Sequence, residues 1–189
     1  MSSNEWYTPA KYIEAAREVM GSIDLDPASS DLANETVKAR HYYTKEDNGL
    51  EQMWFGRIWL NPPFGRIQTP GQKMNQGIWI RKLLKEYQRG HVDQALLLTT
   101  CRPDTSWFSA LWDFPICFTD HKVGFYLPEE GRILQEHNHG QGTIFVYMGL
   151  WEQRFIEVFS KFGRIAKAID TPKPVPVSLE LWESAGVAV

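Results

Sequence analysis

The stretch GRIWLNPPFGR, residues 56–66, decides how this chain is read. Ile58-Trp59-Leu60 is a short apolar run of the kind that forms a buried strand. It runs into Asn61-Pro62-Pro63-Phe64, and two prolines cannot continue a ladder, because neither has an N–H to donate. A strand that stops on an amide, two residues of fixed φ and an aromatic ring does one of two things. It ends in a plain Asx-Pro turn with Phe64 in the core, or it delivers a rigid polar group to a pocket. The four residues alone fit both equally well.

Working outward, helical and extended patterns alternate. On the N-terminal side, Thr8-Pro9 places an N-cap residue before a proline at N1. Ile13, Ala16, Val19 and Met20 then recur at helical spacing until Gly21. SIDLDP is a short strand closed by Pro27. Residues 28–46 have weak periodicity, with a short helix or irregular loop from Asp31 to Arg40. On the C-terminal side, residues 66–77 read as a polar loop, 77–89 as an amphipathic helix and QALLLTT as a strand buried on both faces. TSWFSALW reads as a helix and ICFTD and VGFYL as strands. Residues 128–142 read as a second long polar loop, TIFVYMG as a strand, WEQRFIEVFSKFG as a helix and RIAKAID as a last strand. Alternating strands and helices predict an α/β sheet with right-handed crossovers. Ligands in such sheets bind outside the carboxyl ends of the strands, so Asp26-Pro27 and Asn61-Pro62-Pro63 are expected to face one crevice.

The 189 residues fit one domain with a full core. We expect a single domain over 1–170 and a Pro-rich tail over 171–189. Cys101 and Cys117 are the only cysteines and lie in no CxxC spacing, which argues against a zinc site or a disulfide framework and for a reducing compartment. No apolar segment follows Met1 and no run is long enough to span a membrane, so a cytoplasmic protein is expected. Net charge is -3, yet residues 52–102 carry eight basic and two acidic side chains. This positive block begins at Arg57 and surrounds Asn61–Phe64. Such a field suits a polyanionic partner, although Arg81, Lys82, Lys85 and Arg89 would equally form a solvated helix face.

A rigid amide beside a fixed carbonyl suits one kind of chemistry. The exocyclic amine of adenine or cytosine is a poor nucleophile, because its lone pair is delocalised into the ring. Acceptors at the Asn61 side-chain oxygen and the Pro62 carbonyl would localise that pair on nitrogen. Fixed φ at Pro62 and Pro63 would hold the acceptors in place before the substrate arrives. Phe64 would stack on the base, and a base in a duplex must be flipped out to reach it.

Asn-Pro-Pro-aromatic after an apolar strand resembles the catalytic motif of S-adenosylmethionine-dependent amino-methyltransferases. The surrounding pattern is similar to the phage-type DNA adenine-N6 methyltransferases. It comprises Trp6-Tyr7-Thr8-Pro9, then Asp24-Leu25-Asp26-Pro27-Ala28-Ser29, then Tyr43-Thr44, Glu46-Asp47 and Gly49-Leu50, with Trp54 before the Asn-Pro-Pro. The order and spacing hold from about residue 6 to 64.

The resemblance implies a Rossmann-like methyltransferase sheet, mostly parallel with an antiparallel edge strand, helices on both faces, and a region trimmed around strand two. It implies S-adenosylmethionine as cofactor, DNA as partner, no metal, and a phage or prophage origin in a bacterial host. Catalysis would rest on Asn61, Pro62, Pro63 and Phe64. Trp6, Tyr7, Thr8 and Pro9 would line the methionine end of the cofactor, with the Thr8 hydroxyl suited to its carboxylate. Asp26, Pro27 and Ala28 would form the first-strand motif, with Asp26 taking the methionine amino group or helping organise that end. Asp47 would accept from the cofactor's adenine amine, and Leu50 would pack on that ring. Arg66, Lys73 and Arg81 would meet DNA phosphates.

The chain departs from the wider class in two ways. Pro-Ala-Ser-Ser stands where a glycine-rich loop is common. Only 20 residues separate Asp26 from Asp47, so the usual ribose-binding acid is either missing or replaced by Asp31 or Glu35. Cytosine N4, RNA adenine and protein glutamine present a similar group to the same acceptors, and a non-catalytic nucleic-acid-binding protein on the same fold is the rival of a different class. Cytosine C5 chemistry needs a nucleophilic cysteine, and neither cysteine follows a proline. His137-Asn138-His139 has too few ligands for a metal site.

Overall fold

The computed structural model of the protein describes residues 6–63, 67–69, 72–74, 76–129, 132–138 and 142–169. The N-terminal helix α1 (Ala10–Met20) stops at Gly21, whose φ of +83° closes its last turn at little steric cost. Strand β1 (Leu25–Asp26) ends at Pro27 and helix α2 (Asp31–Val37) follows, with the Ser30 hydroxyl accepting from the Ala33 amide as its N-cap. A second strand, β2 (His41–Tyr42), is only two residues long, and β3 (Gly56–Leu60) is the expected GRIWL strand.

The segment read as a polar loop after Phe64 carries a hairpin, β4 (Ile67–Thr69) with β5 (Gln72–Met74). Helix α3 (Gln76–Gln88) and strand β6 (Val92–Thr100) follow as expected. The predicted helix in TSWFSALW is a 3-10 turn over Ser109–Asp113. Strand β7 (Ile116–Thr119) comes next, followed by β8 (Gly124–Glu129) and β9 (Arg132–Asn138). Strand β8 is the expected VGFYL strand, and it pairs antiparallel with β9, which lies inside the second expected loop. In both corrected loops residues with extended preference lie among the polar ones, Ile67 and Thr69 in the first and Ile133 in the second. Strand β10 (Thr143–Met148), helix α4 (Glu152–Phe159) and strand β11 (Gly163–Ala166) complete the chain.

The result is a mixed α/β fold on one seven-stranded sheet of order β11-β7-β10-β6-β3-β1-β2. The four strands β2, β1, β3 and β6 are parallel neighbours. From β6 outward the pairings β6–β10, β10–β7 and β7–β11 are all antiparallel. The antiparallel character is therefore not confined to one edge strand, because β10 lies between β6 and β7.

Side-chain alternation builds a core on each face of this sheet. Trp59, Leu96, Leu98, Phe145 and Tyr147 pack against α1 and α4. Ile58, Leu60, Leu97, Ile144 and Val146 pack against α3 and the 3-10 turn. Strands β6 and β10 are apolar without alternation because both of their faces are covered.

Asp24, just before β1, fixes the start of the parallel run. Its carboxylate takes a two-pronged bond from Arg57, with Nε at 2.7 Å and Nη2 at 3.0 Å, and accepts the Arg57 amide at 3.0 Å. The Asp24 amide donates in turn to the Arg57 carbonyl at 2.8 Å. Arg57, read as the start of a positive field around Asn61, is thus spent at the opposite end of β3. This clamp sets β1 beside β3 in register, with Leu25 opposite Ile58, so that both strands leave the sheet at one edge.

The Arg57 guanidinium holds the Asp24 carboxyl below its ordinary value of 3.8, against an opposing effect of burial. A carboxyl held low stabilises the fold above its ordinary range and loses that contribution as pH falls. Asp24→Asn should lower the urea-unfolding free energy at pH 7 by about 1–2 kcal/mol, the exposed edge of the pair keeping the loss below that of a fully buried one. The gap to wild type should close as the medium is acidified below the native pKa of Asp24.

Candidate active site

The end of β3 supplies the first group. Odd positions of β3 face α1, so Asn61 follows Trp59 onto that side. Its amide nitrogen donates to the Trp6 carbonyl at 3.0 Å and to the Thr8 hydroxyl at 3.2 Å. A backbone carbonyl only accepts, so the nitrogen must face Trp6 and the oxygen must face away. That oxygen, Oδ1, is buried and has no hydrogen-bond partner among the described residues. An unpaired buried acceptor costs about 1–3 kcal/mol, a cost that a bound donor would offset. Pro62 is buried and Pro63 half-buried beside it. Phe64 and Arg66 lie outside the described residues.

The bond from Asn61 corrects one expectation. Thr8 does not cap α1. Pro9 occupies the N-cap position and no side chain closes the turn, because the Thr8 hydroxyl is turned toward Asn61. The segment 6–8 is itself held from the far side. Tyr7 and Tyr126 of β8 exchange backbone bonds of 2.9 Å in both directions, and Trp6 meets Phe125 edge-on at 5.9 Å between ring centres. The Tyr7 hydroxyl lies 3.1 Å from the Ser30 hydroxyl at the start of α2.

The end of β1 supplies the second group. Asp26 is 2% exposed. Burial pushes its carboxyl up from 3.8 to about 7, while the Ala28 amide, 3.2 Å from Oδ1, pulls the other way. The Ser29 hydroxyl sits near the same carboxyl without forming a well-shaped bond. No cation among the described residues offsets the charge.

The loop after β2 closes on this strand end. The Ser29 amide donates to the Tyr43 carbonyl at 2.9 Å. Gly49 packs so tightly that a β-carbon there would run into the Pro27 carbonyl, and the Trp54 indole holds the Gly49 carbonyl at 2.7 Å. Asp47 is exposed, and its Oδ2 accepts the Thr44 amide and hydroxyl, both at 2.8 Å. These bonds hold its pKa below the ordinary value. Leu50 is half-buried against the α3-side core. Asp26-Pro27-Ala28 and the Asp47–Leu50 loop therefore form one wall, and the parallel pairing of β1 with β3 puts Asn61 at the same edge.

Other expected residues stand apart. Arg81 is exposed on α3 and has no ion-pair partner among the described residues. Lys73 lies on β5, opposite Gln68. His137 and Asn138 belong to β9 and His139 lies outside the described residues. Among the described residues no group of three His, Cys, Asp or Glu could hold a metal, and no helix is long and apolar enough to cross a membrane. Burial raises the thiol pKa of Cys101 and pushes that of Cys117 up to about 12, so neither is an activated nucleophile.

Sequence reasoning passed over Ser30, Gln76, Thr99 and Thr100. The last two close an apolar strand with adjacent hydroxyls, and Gln76 opens a helix; polar residues at both element ends were the available signal.

A family model described as DNA N-6-adenine-methyltransferase (Dam) matches residues 2–168. No curated protein and no solved structure matches the chain.

The raised pKa of Asp26 has a signed consequence. Between about pH 4 and 7 the unfolded chain loses this proton while the folded protein keeps it, so stability falls as pH rises through that window. Asp26→Asn should match wild type near pH 4 and exceed it at pH 8, by up to about 4 kcal/mol in urea unfolding.

Proposed function

Because the chain belongs to the DNA N-6-adenine-methyltransferase family, we propose that it transfers a methyl group from S-adenosylmethionine to the N6 amine of a flipped adenine held by Asn61–Phe64. The observation that carries this is the Asn61 amide. Its nitrogen is locked by an acceptor-only carbonyl, and its oxygen is buried without a donor.

Asn61 Oδ1 and the Pro62 carbonyl each accept one N–H of the target amine. As that nitrogen takes on positive charge in the transition state, both bonds become charge-assisted. They therefore stabilise the transition state more than the ground state. Phe64 stacks on the ring. The dipeptide Pro62-Pro63 keeps the second acceptor from moving during the reaction.

The residues at the β1 edge fit the cofactor. A buried carboxyl with no cation suits an ammonium group, and we assign the methionine amino group to Asp26, with Pro27 and Ala28 beside it. The tight seating of Gly49 on Pro27 brings Asp47 and Leu50 to the same wall for the adenine end. Trp6, Tyr7 and Pro9 line the methionine end, and Thr8, whose oxygen already accepts from Asn61, still has its own proton for the carboxylate. When bound, S-adenosylmethionine supplies an electrophilic methyl on a sulfonium, a cation that an aromatic such as Trp6 or Tyr7 attracts.

The parallel run β2-β1-β3-β6 followed by the inserted antiparallel β10 supports a Rossmann-like methyltransferase sheet trimmed around strand two. We take residues 1–170 as its domain and 171–189 as a tail. Arg66, Lys73 and Arg81 are proposed to contact phosphates, with sequence specificity that is short or loose. The setting we propose is a bacterial cytoplasm, with the gene of phage or prophage origin.

The test is incubation with DNA and labelled methyl donor, followed by nucleoside digestion. Label should appear in N6-methyladenosine; label in N4-methylcytosine instead, or none at all, refutes the assignment. Asn61→Ala should lower kcat by about 100-fold or more while DNA still binds, and an unchanged rate would sink the mechanism. Asp26→Asn should weaken cofactor binding by tenfold or more, measured by calorimetry without DNA.

A further inference from the structure

Helix α3 opens on Gln76, which is 7% exposed. Its side-chain oxygen accepts from the Thr99 hydroxyl at 3.2 Å and the Thr100 hydroxyl at 2.7 Å. Its side-chain nitrogen, Nε2, is buried with no partner among the described residues. The amide could be turned end for end only by leaving both threonine protons and the amide oxygen unpaired. Among the described residues the observed orientation leaves a single group unpaired, so it is the one the hydrogen bonds select.

The sheet topology places this group. Strand β3 runs parallel to β6, with Leu60 opposite Leu97 at the end of their ladder, so Thr99 and Thr100, which close β6, stand at the same carboxyl edge of the sheet as Asn61. The helix α3 lies on one face of the sheet, whereas Asn61 reaches the edge from the α1 face. An unpaired buried donor and an unpaired buried acceptor thus stand at one carboxyl edge of the sheet.

On the reading of Asn61 as the amine acceptor, we propose that Gln76 is a specificity-determining residue that donates from Nε2 to a ring nitrogen of the target base. Beside its N6 amine, adenine offers ring acceptors at N1 and N7. A site with acceptors for the amine and a donor for the adjacent ring nitrogen matches that pattern. Guanine, with a carbonyl in place of the amine, sets O6 against the Asn61 oxygen. Thymine sets a carbonyl against the acceptors and an N–H against the donor.

Oligonucleotides carrying the site that the wild-type protein methylates provide the test, with the target adenine replaced by 1-deazaadenine or 7-deazaadenine. Wild type should lose about tenfold in kcat/KM on one of the two analogues, the share of one hydrogen bond. Gln76→Leu should lose about as much on adenine itself and show no further loss on that analogue. Comparing the two proteins cancels the change in ring electronics. Gln76→Glu retains an oxygen for the two threonines but offers no donor when ionised, and it should behave like Gln76→Leu if the latter folds poorly. Wild type indifferent to both analogues, or variants as sensitive to them as wild type, overturns the assignment of Gln76. A wild type that methylates no adenine in DNA would instead remove the reading on which the assignment rests.

Discussion

The hydrogen bond from the Asn61 amide to the Trp6 carbonyl fixes the most consequential orientation in the molecule. Because the carbonyl can only accept, the bond decides which end of the amide faces outward. It also joins parts of the chain that are far apart in sequence. Trp6–Thr8 is bound to the end of β3 on one side and, through the paired backbones of Tyr7 and Tyr126, to the β8–β9 hairpin on the other. The N-terminal segment therefore works as a spacer between hairpin and strand end, and the direction of one side chain depends on all three.

The two edges of the sheet are built on opposite terms. At the amino ends of β1 and β3, Asp24 and Arg57 satisfy each other through side chains and backbones alike. At the carboxyl ends the accounting is left open. Ser29, Asn61 and Gln76 supply three of the four buried side-chain atoms without a partner among the described residues. Asp26 adds a carboxyl whose ionisation the fold opposes. Groups unpaired in isolation are a cost to folding. They are concentrated at the edge where open α/β sheets bind ligands, which is the pattern expected of a site rather than of scattered packing defects.

Much of this architecture was legible in the residues. The strand GRIWL, the helix before Gly21 and the apolar β6 and β10 are local patterns of periodicity and punctuation, and the structure keeps them. What was not legible depends on long-range geometry. Thr8 has the chemistry of an N-cap, and only the nearness of Asn61, far along the chain, diverts it. The β4–β5 hairpin and strand β9 hide in polar stretches whose alternation is weak. Arg57 looked like part of a field around Asn61 because the two are near in sequence, while the strand between them carries them to opposite edges. The match of the family model confirms the resemblance seen in the ordered motifs from Trp6 to Phe64.

The shortness of the segment between Asp26 and Asp47 turns out to have a structural logic. Helix α2 has seven residues and β2 only two, so the loop that follows β2 is drawn back over the end of β1. That return requires a close backbone approach, which Gly49 allows against the Pro27 carbonyl and Asn48 assists by adopting a φ of +51°. A longer helix and strand would carry the loop outward. The missing glycine-rich turn after β1 is consistent with this economy. Pro27 fixes its own φ, and the close backbone approach at this strand end is made by Gly49 of the opposing loop.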